Sequence, residues 1–219
     1  MDSDERVRIS VGPIGGQLSS VLRGLLVRFR FSNLSRRYNS PWLLATFSFI
    51  NGCVSIALMA TVAVVTHEPF VFPSLGPTAF LFFYMPLSQP ACPRNTLIGH
   101  SVGALVGWGC LMLFGLQDIQ SSLHAVMGPQ IGAAALSLGL TSGLMVLLKA
   151  PHPPAGATTL IFALGALHTF GHVLILMAAV ILLTAQAIVI NRLAGLPYPL
   201  WAPVSQSPTG SAVPAKNKT

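Results

Sequence analysis

From residue 41 to residue 195 the chain alternates long uncharged apolar runs with short polar or Pro/Gly-rich joints. The first run, Leu43 to Val65, has 23 residues without a charge and ends at His67-Glu68-Pro69. A second apolar stretch covers Phe70 to Met85, followed by a loop from Pro86 to Arg94. Two more runs cover roughly Asn95 to Leu116 and His124 to Leu148, with Gln117 to Leu123 polar between them. Pro151 to Leu167 is a further apolar stretch, and the last run extends from about Val173 to Ile190 before Asn191-Arg192. Runs of this length predict membrane-crossing helices, each needing about 20 residues. The stretches at 70–85 and 151–167 are shorter and broken by Pro and Gly, which suits segments that are half extended and half helical.

The flanks differ. Residues 1–40 form a basic tail in which Leu18, Val21, Leu22, Leu25, Leu26 and Phe29 recur at helical spacing opposite Ser19, Arg23 and Arg30. That pattern predicts an amphipathic helix over 17–31, lying on the inner leaflet or packed on the protein's own cytoplasmic face. Residues 196–219 are rich in Pro, Ser and Gly and predict a flexible tail.

Composition agrees with lipid as the solvent: 53% of residues are hydrophobic and 8% charged, against roughly a quarter charged in soluble domains. The net charge is +7, and Arg6, Arg8, Arg23, Arg28, Arg30, Arg36 and Arg37 all precede the first run. This is a positive-inside signal rather than a nucleic-acid surface. Four crossings result if the two broken stretches dip back, six if they cross. With six and the N-terminus inside, Glu68 and Asp118 fall outside, while Arg94, Lys149 and Arg192 fall inside with both tails. The six-segment count obeys the bias at every Lys and Arg, so the expected fold is all-α with six transmembrane segments. The transmembrane domain is 41–195, its halves about 41–116 and 123–195. Three segments per half make the halves inverted, a transporter architecture with discontinuous helices near the midplane.

The broken stretches resemble each other. Phe72-Pro-Ser-Leu-Gly-Pro-Thr-Ala-Phe-Leu-Phe82 and His152-Pro-Pro-Ala-Gly-Ala-Thr-Thr-Leu-Ile-Phe162 align without gaps at an offset of 80. Pro73, Gly76, Thr78 and Phe82 match Pro153, Gly156, Thr158 and Phe162. Prolines hold the approach extended and a helix then starts inside the bilayer, with first-turn N–H groups that lack intrahelical acceptors. Two such starts entering from opposite faces would converge on a site that favours an anion. Candidate binding residues are Ser74, Gly76, Thr78, His152, Gly156, Ala157, Thr158 and Thr159. The runs contain no Asp, Glu, Lys or Arg to hold a cation. His100 is the one histidine well inside a run, a candidate proton-linked or gating residue together with Asn95, or else a neutral histidine bonded to its surroundings.

Other features add less. His124, His168 and His172 flank runs and are too dispersed for zinc, so no metal and no cofactor is expected. Cys53, Cys92 and Cys110 show no metal or disulfide spacing. Gly99, Gly103 and Gly107, and Gly139 with Gly143, form strips that let helices approach closely and offer a dimer seam. His100 and Ser101 are adjacent on a helix and point about 100° apart, so they make no nucleophile–base pair, and no enzyme is expected.

His152-Pro153-Pro154-Ala155-Gly156-Ala157, with Ser74-Leu-Gly-Pro-Thr78 and Pro93-Arg94-Asn95 followed by Gly99-His100, resembles the HPP family of integral membrane proteins over roughly residues 40–195. The resemblance implies nitrite transport, for which plastid and cyanobacterial members are implicated, and a description with four spans rather than six. The residues themselves imply only a small anion. The leading expectation is a transporter of a small inorganic anion, nitrite first, in a bacterial or cyanobacterial plasma membrane with both termini cytoplasmic. The alternatives are a channel for nitrate-, formate- or chloride-like ions, and a membrane scaffold that assembles through its glycine strips.

Overall fold

The computed structural model describes residues 30–38, 40–118 and 128–203. Among them are seven α-helices and no strand: α1 Phe31–Tyr38, α2 Pro41–Thr66, α3 Leu75–Tyr84, α4 Pro93–Leu113, α5 Gly128–Leu147, α6 Ala155–Ala163 and α7 Phe170–Leu193. Four of these, α2, α4, α5 and α7, are long and apolar enough to cross a membrane. The amphipathic pattern at 17–29 and His124 lie outside the described residues.

Prolines set several helix starts. Pro41 and Pro93 occupy the first positions of α2 and α4, where a missing N–H costs nothing. The two short helices begin at Leu75 and Ala155, positions that correspond under the offset of 80. Both follow a helically turned residue that makes no side-chain cap, Ser74 and Pro154. The helical parts of the two broken stretches, ten and nine residues, span only about 15 Å each at 1.5 Å per residue. The residues before them, 69–72 and 150–152, belong to neither helix nor turn.

The core is built around α7 and α4. Leu176, Ala179, Val180 and Leu183 of α7 are fully buried against Phe82 and Phe83 of α3 and Phe162 of α6. The outermost long helix is α2, with only Ser55 and Met59 buried, as befits a helix bathed in lipid. Contacts sort the chain into two ends. At one end, Ser48 Oγ of α2 donates to the Phe83 carbonyl, Asn191 Nδ2 to the Phe82 carbonyl, and Arg94 N–H to the Trp201 carbonyl. Arg94 also reaches the Leu148 and Lys149 carbonyls at 3.2 Å, covering the C-terminal end of α5. At the other end, the Trp108 and Phe170 rings lie 5.4 Å apart.

The chain after α7 departs from the expected flexible tail. Leu196 N–H bonds the Asn191 carbonyl, and Tyr198 is fully buried with its hydroxyl donating to the Ala91 carbonyl. Burial pushes that phenol's pKa up, so it stays a donor. The packed part of the chain therefore extends to at least residue 200.

Candidate functional site

The site begins with a strip of absent side chains. Gly99, Gly103 and Gly107 occur every fourth residue on one face of α4, and the segment from His152 to Phe162 lies directly on them. A Cβ on Gly99 would stand 2.7 Å from the Cβ of His152, and one on Gly103 2.7 Å from the Ala155 carbonyl oxygen. On Gly107 it would meet the Thr159 carbonyl oxygen. This strip is filled from within the chain and is not open to a second copy. Gly139 and Gly143 have nothing within 4 Å of such a Cβ.

The close approach brings two histidines together. His100 and His152 are both fully buried, their rings 4.9 Å apart and their Nε2 atoms 3.2 Å apart. Thr78 Oγ1 of α3 sits 2.9 Å from His100 Nε2 and 3.3 Å from His152 Nε2. Thr158 Oγ1 of α6 sits 2.7 Å from His100 Nδ1. Thr78 and Thr158, equivalent in the two sequence copies, thus hold opposite sides of one imidazole. No Asp, Glu, Lys or Arg is among the buried described residues.

The protons can be assigned from the partners. His152 Nδ1 lies 2.7 Å from the Pro90 carbonyl, which only accepts, so Nδ1 carries hydrogen and the neutral ring has a bare Nε2. His100 Nε2 faces that bare nitrogen; two bare nitrogens would repel, so His100 carries its proton on Nε2. His100 Nδ1 then accepts from the Thr158 hydroxyl, while the Thr78 hydroxyl donates to the Ser74 carbonyl at 3.0 Å. The result is a directed chain: Thr158 to His100, His100 to Thr78 and His152, His152 to Pro90. With both rings neutral, every ring nitrogen has a partner.

The helix starts themselves offer less than the sequence predicts. The N–H of Leu75 bonds the Phe72 carbonyl, and those of Ala155, Gly156 and Ala157 bond the carbonyls of His152, Pro153 and Pro154. A tight i to i+3 turn before each helix absorbs these donors, so they are not bare. What converges at the centre is hydroxyls and imidazoles, with the helix dipoles behind them.

The remaining candidates separate. Ser74 is fully buried with its hydroxyl unpartnered, one helical turn before Thr78, whose hydroxyl donates to the Ser74 carbonyl. Thr159 is buried but turned to α5, donating to Thr141 Oγ1 at 3.0 Å. Gly76 and Ala157 are exposed and Gly156 half-buried against Leu138, so these three face away from His100. Asn95 is buried as a loop clamp: Nδ2 donates to the Gln89 carbonyl and Oδ1 accepts from Arg94. Sequence reading missed Thr96, whose hydroxyl is 3.5 Å from His152 Nδ1. Its place four residues before His100, on the same helix face, was the available signal. It also missed Thr141 and the Pro90 carbonyl. Among the described residues no group of three or more His, Cys, Asp or Glu is placed to hold a metal.

Comparison with known proteins fits this picture. Two transmembrane proteins of Dictyostelium discoideum are similar: one is 34% identical over 119 residues, covering 54% of this chain and 35% of the relative. The other is 32% identical over 133 residues, covering 58% of this chain and 44% of the relative. The matched region thus spans less than half the length of either relative. No solved structure matches the chain. The model of the HPP transmembrane region matches residues 37–199, which take in all four long helices, both broken segments and the buried tyrosine beyond them: the chain is a membrane protein of the HPP family.

Proposed function

We propose that this protein carries a small inorganic anion, nitrite first, across the membrane through the site where α3 and α6 meet His100, and that the chain crosses six times in two inverted halves. The observation that carries the proposal is the pair Thr78 and Thr158, hydrogen-bonded to the two nitrogens of one buried ring. Symmetry-related residues on a shared central group are what inverted halves produce around a midplane site. The ends of the helices support the inversion. Phe83, late in α3, lies beside Ser48 near the start of α2, whereas α6 runs alongside α4 in the same direction, from His152 at Gly99 to Thr159 at Gly107.

The chemistry supports a small monovalent anion. With no carboxylate, Lys or Arg among the buried described residues, a site with neutral histidines costs little to keep in lipid. A proton taken up at His100 Nδ1 turns the Thr158 hydroxyl from donor to acceptor. It also creates a cation among neutral groups, which an anion arriving beside it would balance. Proton and anion would then move together. The cluster is fully enclosed, which favours a carrier that must rearrange over an open channel.

The test is flux into proteoliposomes. Protein-loaded vesicles take up nitrite faster than empty ones, and Thr158→Val, which removes the hydroxyl and leaves the buried His100 Nδ1 without its donor, lowers the rate about tenfold or more at a temperature where the variant, less stable by about 1–3 kcal/mol, is still folded. Competition by nitrate, formate, bicarbonate and chloride ranks the anions. Equal uptake by loaded and empty vesicles would sink the transport reading and leave the scaffold.

A further inference from the structure

We propose that the groove between α1, the start of α2 and the end of α3 binds one anionic phospholipid per chain. The helix α1 lies across one end of the bundle. Phe31 stacks on Phe47 of α2 at 4.2 Å, and Ser32 N–H donates to the Ala194 carbonyl beyond α7 at 3.1 Å. Beneath it are two adjoining cavities that share Pro41, Leu44 and Tyr84. The larger one, about 560 Å³, is lined mostly by apolar side chains, among them Ala45, Phe49 and Phe80, with Ser48. The other, about 440 Å³, adds the hydroxyl-bearing Ser35 and Ser40 from the α1 side. Volumes of this order accommodate a drug-sized molecule or a segment of acyl chain.

Charge selects the occupant. The last turn of α1 carries Arg36 and Arg37, both exposed. The carboxylates among the described residues are Glu68 and Asp118, which follow the far ends of α2 and α4. Along α2 alone, 26 residues place Glu68 about 39 Å from the α1 end. The guanidinium groups thus stand away from both of these carboxylates; they follow Ser35, which lines the smaller cavity, and Arg37 lies over the Tyr38 ring at 5.6 Å. A phospholipid meets both requirements: its phosphate pairs with the arginines and its chain fills the apolar cavity. Free phosphate would use the rim and leave the larger, apolar cavity unused.

Native mass spectrometry of the full chain, purified with equal palmitoyl-oleoyl phosphatidylglycerol and phosphatidylcholine, reads this directly. One phosphatidylglycerol per chain is retained, in clear preference to phosphatidylcholine. Arg36→Gln with Arg37→Gln cuts retention by roughly tenfold or more. Ala45→Trp, which fills the apolar cavity and leaves the charges, cuts it as well, and excess inorganic phosphate does not displace the lipid. Equal retention of both lipids, indifference to the arginine pair, or displacement by phosphate each overturns the proposal. The arginine substitutions are on an exposed turn, so that arm stands even where the tryptophan variant fails to fold.

Discussion

His100 has two threonine partners that the sequence separates by 80 positions, and Tyr198 has a partner 107 positions away in the Ala91 carbonyl. The first relationship was legible: aligning the two broken stretches singles out Thr78 and Thr158, and His100 stands alone as a histidine inside an apolar run. The second was not. Tyr198 sits in Leu-Pro-Tyr-Pro, a composition that reads as loose tail, and only a slot beside Ala91 and Phe82 makes it core; its ring is 6.3 Å from that of Phe82. Removing the hydroxyl tests how much this contact contributes. Tyr198→Phe leaves the Ala91 carbonyl without its donor and is expected to cost about 1–3 kcal/mol, seen as a lowered melting temperature with flux unchanged at low temperature. Tyr198→Ala should cost about 3–5 kcal/mol, because it also opens a cavity. His152 was half legible. Its prolines mark a helix start, but its pairing with His100 depends on Gly99, whose missing side chain lets the two backbones touch.

At the scale of elements, the apolar runs gave the four long helices to within a few residues at most ends, since length and hydropathy decide a membrane helix almost alone. The short helices were legible as broken segments, but not the fate of their amides. Sequence shows where an α-helix cannot extend backwards through Pro73 or Pro153; it does not show that the preceding residues turn tightly enough to take up the donors. The glycine strips were equally ambiguous, because spacing says that something packs closely without saying what. The structure separates them by neighbour, and substitution checks the separation. Gly107→Val drives a branched side chain into the Thr159 backbone and the Phe162 Cβ, neither of which can swing aside. A loss of about 3 kcal/mol or more is expected, with little folded protein recovered. Gly139→Val meets open space and should melt like the parent. A change of oligomeric state in Gly139→Val with unchanged folding would identify the α5 strip as the seam between copies.

At the scale of the whole molecule, the number of crossings decides whether the His100 site lies between two inverted halves or beside a pair of hairpins. Positive charge alone favoured six, a statistical bias rather than a geometry. The contacts add a geometric reason. Phe82 and Phe83 at the end of α3 meet residues near the start of α2 and the end of α7, while α2 ends at Thr66, a helix length away. A chain leaving α2 at its far end and arriving at Phe83 has travelled the depth of the bundle. The same holds for the path from Lys149, held by Arg94, to Phe170, which packs on Trp108 near the other end of α4. Single cysteines on a background with Cys53, Cys92 and Cys110 replaced by alanine make this measurable in sealed vesicles of one orientation. Labels at positions 68 and 118 should react with an impermeant maleimide from one face, and labels at 88 and 149 from the other. Positions 68 and 88 are the decisive pair, because they bracket only the first broken segment: reaction from the same face means that the segment dips and returns. The two halves would then not be inverted, and Thr78 and Thr158 would reach His100 without the symmetry on which the transport proposal depends.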